Sequence, residues 1–168
     1  MERTMSSEEL AVYTERITNP SNTFRIFLND YVTGNPWIRS RGDEDIKVWD
    51  NLDGIELETA KQIIIDELNI VLDASYIRAV GIFRDERAIP LLKEIIDLYP
   101  QKYIGEKMLA AKVLYDWIGY EEYVPMLEKA CHCNDEKVRQ YLKYTAKVLY
   151  LDGLQKSDKE RITELIYG

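Results

Sequence analysis

The pentapeptide Ala-Lys-Val-Leu-Tyr occurs twice, at 111–115 and again at 146–150, thirty-five residues apart. Pro90 and Pro125 stand at the same offset, inside Ala88-Ile89-Pro90-Leu91-Leu92 and Tyr123-Val124-Pro125-Met126-Leu127. A self-similarity of this length predicts stacked helical hairpins, each burying its apolar stripe against its neighbours. A proline near the start of each second helix costs little there, because the first turn has no hydrogen-bonded N–H to lose.

The rest of the chain carries helical periodicity. Ser6 with Glu9 forms a capping-box pattern opening a helix through about residue 17, and Asn19-Pro20 stops it. Ser21 or Asn22 caps a second helix with Phe24, Phe27, Leu28 and Tyr31 on one side, ending near Thr33-Gly34. Residues 34–54, punctuated by Gly34, Asn35-Pro36, Gly42 and Asp53-Gly54, read as an irregular loop. Trp37 and Trp49 should fold that loop back onto the body. From Ile55 the apolar stripes are strong: Ala60, Ile63, Ile64 and Leu68 share a face, and Ala88, Ile89, Leu91, Leu92, Ile95 and Ile96 follow the helical spacing without a miss. Further helices are expected over 104–118, 121–131, 135–151 and 157–166, and no segment alternates with period two long enough for a strand.

These residues resemble the HEAT and HEAT-like helical repeat family over about residues 55–167. The first copy runs from Arg78-Ala79-Val80-Gly81 through Asp85 to Ala88-Ile89-Pro90-Leu91-Leu92. The second runs from Ala110-Ala111-Lys112-Val113-Leu114 through Ile118-Gly119 to Val124-Pro125-Met126-Leu127, with one extra residue in the turn. A third, from Val138-Arg139 to Leu151-Asp152-Gly153, keeps its first helix, while its second is degenerate. The resemblance implies an all-α, right-handed HEAT-like α-solenoid of about three helical hairpins. Residues 1–54 would form an N-terminal helical cap with its loop, and 55–168 the repeats, in one compact unit with the cap. Such a motif specifies fold and hardly constrains function.

Composition bounds the function classes. With 46% hydrophobic and 31% charged residues in 168, the chain is globular rather than disordered. A formal charge of −8 argues against binding a phosphate backbone and favours basic partners. Glu2, Arg3, Glu8 and Glu9 leave no apolar stretch for a signal peptide, and the longest apolar runs are too short to span a bilayer, so a cytoplasmic location is expected. Two cysteines, Cys131 and Cys133, one residue apart, make no disulfide framework.

Each chemically suggestive constellation has a plainer reading. Cys131-His132-Cys133 holds three metal-ligand types but lacks a second cluster to complete a tetrahedron, so no metal is expected. Asp43-Glu44-Asp45 with Asp50 and Asp53 reads as a solvated acidic loop, since Lys47 and Leu52 spoil both registers of a calcium loop. Arg41-Gly42-Asp43 reads as a turn. The only histidine, His132, has no orienting acid beside it, and no nucleophile elbow, phosphate loop or dinucleotide fingerprint is present. No cofactor is implied and no catalytic residue is assigned.

In the HEAT family the second helix of each hairpin lines a concave, protein-gripping side. By that resemblance the lining segments are 55–69, 86–98, 121–131 and 157–166. Their polar positions include Glu58, Asp66, Glu94, Asp97, Glu121, Glu122 and Glu128, interrupted by Lys61, Lys93 and Lys129. Trp117, Tyr120 and Tyr123 gather around a hairpin turn, where aromatic anchors suit an interface, although core packing also accounts for them. The expected function is a non-enzymatic interaction module or adaptor for a basic or mixed-charge protein. Its candidate contacts are Glu94, Asp97, Trp117, Tyr120, Glu121, Glu122, Tyr123 and Glu128. A narrower version is an immunity-type inhibitor of a basic toxin. The alternative is an enzyme or small-ligand protein, for example lyase-like, using a groove beside the 34–54 loop.

Overall fold

Helices account for all the regular structure among residues 3–168, which the computed structural model of the chain describes; Met1 and Glu2 lie outside the described residues. In order the helices are α1 (Ser7–Thr14), α2 (Asn22–Phe27), α3 (Pro36–Ser40), α4 (Val48–Asn51), α5 (Gly54–Leu68), α6 (Ala74–Phe83), α7 (Ile89–Leu98), α8 (Ile104–Ile118), α9 (Tyr123–Cys131), α10 (Glu136–Thr145) and α11 (Lys156–Tyr167). Two π-helical turns, Leu28–Thr33 and Ala146–Tyr150, extend α2 and α10. No helix of the described residues is long and apolar enough to cross a membrane. The chain divides into two compact units at Leu91/Leu92, within α7.

The first unit is built on an aromatic cluster. Ser21 caps α2, accepting from the Phe24 N–H at 3.1 Å. Phe24 then lies tilted on Phe27, which stacks on Tyr31, with centroids 5.7 and 5.6 Å apart. Trp49 of α4 meets Phe27 and Tyr31 edge-on at 5.5 and 5.6 Å and donates its indole N–H to Tyr31 Oη at 3.1 Å. Such rings contribute both area and quadrupole complementarity. The expected loop 34–54 is therefore corrected: it contains α3 and α4. Asn35 caps α3, Pro36 is pre-set for its first turn, and Trp49 pins α4 to the core. Trp37, also expected to fold inward, is 60% exposed. The capping box at Ser6 and Glu9 forms, but α1 stops at Thr14 instead of residue 17. It buries no residue, so no packing extends it.

The acidic 43–53 segment is not a solvated cluster throughout. Glu44 is buried and accepts from Arg78 Nε at 2.8 Å, while Arg78 Nη2 also donates to the Arg39 carbonyl at 3.2 Å. Arg39 is itself buried; it donates to the Arg3 carbonyl at 2.9 Å and lies over the Tyr76 ring at 5.7 Å. Arg41-Gly42-Asp43 is an exposed turn, with Gly42 at φ 72° and an ion pair between its two charged residues.

In the second unit, α9 packs against α8, α10 and α11. Its centre is a chain of tyrosines. Tyr123 donates to the Tyr150 carbonyl at 2.8 Å, and the Tyr150 and Tyr141 hydroxyls lie 2.6 Å apart. Gly105 of α8 lets this network approach closely, since a Cβ there would sit 3.1 Å from Tyr141 Oη. Pro90 and Pro125 both fall in the first turn of a helix, as their repeat spacing implies. The helix expected over 121–131 begins at Tyr123, leaving Glu121 and Glu122 in the turn before it.

Candidate functional site

A cleft of about 310 Å³ opens in the second unit between the end of α7, the start of α8 and one face of α9. Its position follows from local sequence. Pro100 has no N–H to continue α7, so the chain turns through Gln101–Tyr103 before α8 begins. At the other end of α8, Gly119 adopts φ 70°, and its N–H donates to the Tyr115 carbonyl at 3.0 Å. The next N–H, that of Tyr120, reaches back to the Leu114 carbonyl at 3.4 Å. This left-handed cap satisfies the last carbonyls of α8 and aims Tyr120 at the cleft.

The walls have mixed character. Ile96, Ile104, Met126 and Ala130 supply an apolar floor, while Asp97, Glu122, Lys107 and Lys129 supply charge. Lys107 Nζ is held by the Tyr99 carbonyl at 2.9 Å. Burial and the nearby Asp97 and Glu122 carboxylates push the Tyr120 phenol above its ordinary range, which is itself well above neutral, and its O–H can act as a donor. Two carboxylates beside an aromatic ring, above an apolar floor, suit the charged head and alkyl stem of a lysine or arginine.

The sequence-selected residues separate into three groups. Asp97, Tyr120 and Glu122 converge on the cleft. Glu94 and Glu121 are exposed outside its lining, and Trp117 is half-buried. Tyr123 and Glu128 need correction. Tyr123 is 0% exposed, its ring tilted on Tyr115 at 5.1 Å and its hydroxyl committed to Tyr150, so it cannot anchor a partner from the surface. Glu128 is half-buried and ion-paired with Arg161 of α11, which removes it from the free steering charge. Lys107 and Met126 were not singled out from sequence as site residues, and Cys133 was weighed there only as a metal ligand. Met126, Lys129 and Ala130 share one face of α9 at helical spacing, a pattern legible in the sequence, whereas nothing local brings Lys107 of α8 to the same cleft.

Nucleophilic chemistry finds little support in this neighbourhood. Burial and the neighbouring Cys133 push the Cys131 thiol up to about 11, so it is neutral at physiological pH. His132 is exposed at the end of α9. Among the described residues, no three His, Cys, Asp or Glu side chains gather as a metal-ligand group.

Comparison of the chain with protein-family models, curated proteins and solved structures gives no match. The reading of the cleft therefore rests on its own geometry and charge.

Proposed function

We propose that this chain is a non-enzymatic protein-interaction module of HEAT-like, right-handed solenoid architecture, acting in the cytoplasm. In this reading the α7–α9 cleft grips a lysine or arginine side chain of a basic or mixed-charge protein partner. The observation that carries it is the convergence of Asp97, Tyr120 and Glu122 on one cleft with an apolar floor. The exposed Glu94 and Glu121 add long-range attraction, and an overall charge of −8 acts in the same sense. Immunity-type neutralisation of a basic toxin is the narrower form of the same proposal, supported by charge and size.

The test uses defined peptides of matched length, one rich in lysine and arginine and one rich in glutamate, titrated against the wild type and Asp97→Lys/Glu122→Lys. The basic peptide should bind the wild type, weaken as salt rises and lose roughly ten-fold in affinity in the variant. Equal binding of the basic peptide to both proteins would overturn the assignment of the cleft.

A further inference from the structure

The two copies of Ala-Lys-Val-Leu-Tyr meet different fates. In the first copy Ala111, Lys112, Val113 and Leu114 of α8 are all buried. The π-helical turn Ala146–Tyr150, the second copy itself, packs against α8. The turn after it stays close too: a Cβ at Gly153 would lie 3.7 Å from Lys112 Nζ. The second copy keeps Ala146 and Tyr150 buried but leaves its outer residues open. Val148 is 77% and Leu149 39% exposed, and Tyr144, one turn earlier, is 84% exposed. Chemically identical residues are thus covered by a helical segment in one layer and bare in the next.

What would cover them is constrained by charge. Lys137, Lys143 and Lys147 are exposed on the segment that carries Tyr144 and Val148. Glu136 is already engaged by Arg139, and the Lys147 ammonium lies over the Tyr167 ring at 5.0 Å, so its charge is not neutralised. This face is cationic on a chain of net charge −8. Two copies meeting through it would oppose lysines to lysines across a self-complementary interface, which is electrostatically unfavourable. We propose that the outer face of residues 137–149 docks an acidic amphipathic helix from a different protein. Its apolar side covers Tyr144, Val148 and Leu149, and its carboxylates meet Lys137, Lys143 and Lys147. This surface rests on different residues from the cleft, so either assignment can fail while the other stands.

The experiment titrates full-length protein against a fluorescent amphipathic Leu/Glu helical peptide and a Leu/Lys peptide of the same apolar pattern. The Leu/Glu peptide should bind saturably and the Leu/Lys peptide should not. Lys143→Glu/Lys147→Glu should weaken binding roughly ten-fold. Val148→Asp should weaken it as well, and circular dichroism should be unchanged in both variants because these positions are exposed. Equal binding of the two peptides, or an unaltered affinity in the lysine double variant, overturns the proposal. A concentration-dependent dimer abolished by Val148→Asp would assign the face to a second copy instead. Tighter binding to phosphatidylserine vesicles than to the Leu/Glu peptide would assign it to a lipid surface; either outcome sinks the acidic-helix reading.

Discussion

Tyr123 shows how one side chain can change its role between sequence and structure. Its position beside a turn suits an interface anchor, yet its ring is fully buried and its hydroxyl closes a hydrogen bond to Tyr150. Tyr123→Ala should therefore behave as a core truncation, losing about 3–5 kcal/mol in denaturant titrations. Tyr123→Phe, which removes only the hydroxyl and leaves a buried carbonyl short of a donor, should cost about 1 kcal/mol. A stable Tyr123→Ala variant with weakened partner binding would restore the interface role. Leu92, also fully buried, should lose about 2–5 kcal/mol on truncation to alanine. Cys131 supplies a pH test. Its folded thiol titrates at about 11 and the unperturbed thiol at 9.0, so the folded state binds the extra proton between those values. Stability should thus fall as pH rises from about 9 to about 11, and Cys131→Ala should flatten that slope. Alkylation of the half-buried Cys131 in the folded protein should be slow at neutral pH, and rapid labelling there would contradict its raised thiol pKa.

At the scale of elements, helix ends carry much of the specificity. α6 ends on Arg84 at φ 49°, a left-handed conformation that costs a residue with a Cβ and suits glycine. Arg84→Gly should raise stability by about 0.5 kcal/mol, read as a shift in denaturant midpoint; the gain is small because Arg84 Nε also donates to the Gly81 carbonyl. The reverse holds at Gly119, whose φ of 70° ends α8 and sets Tyr120 in the cleft. Gly119→Ala should cost about 1 kcal/mol through backbone strain alone, since nothing lies within 4 Å of the added Cβ. The repeated pentapeptide makes the complementary point. It is α-helical at 111–115 and π-helical at 146–150, where the Leu151 N–H reaches the Ala146 carbonyl at 2.9 Å. Identical local propensity yields two hydrogen-bond patterns because the neighbours differ: α9 and the second copy pack on the first, and α10 leads into the second.

For the molecule as a whole, the decisive quantity is how charge is distributed. The cleft sets Asp97 and Glu122 against Lys107 and Lys129, while lysines dominate the outer face of 137–149. Exposed charges act mainly on encounter, so Glu121→Lys/Glu122→Lys should slow association with a basic partner at low salt. Its effect on dissociation should be smaller, and added salt should erase most of the difference. Surface-plasmon kinetics at two ionic strengths would read this directly; an unchanged association rate at low salt places the partner elsewhere.

Periodicity and turn chemistry were legible without coordinates, because both depend on nearby residues. The thirty-five-residue offset, the prolines in first turns and the capping box at Ser6 each led to helices that the structure contains. The irregular reading of 34–54 failed for a physical reason. Short helices such as α3 and α4 have no intrinsic stability, and tertiary anchors such as buried Trp49, buried Arg39 and the ion pair of Glu44 with Arg78 hold that segment. Tertiary contacts likewise decided that Tyr123 is core, that Glu128 is spent on Arg161, and that Asp97, Tyr120 and Glu122 share one cleft. A sequence ranks which residues could face a partner; which of them remain at the surface depends on distant segments folding over them, and local pattern does not encode that.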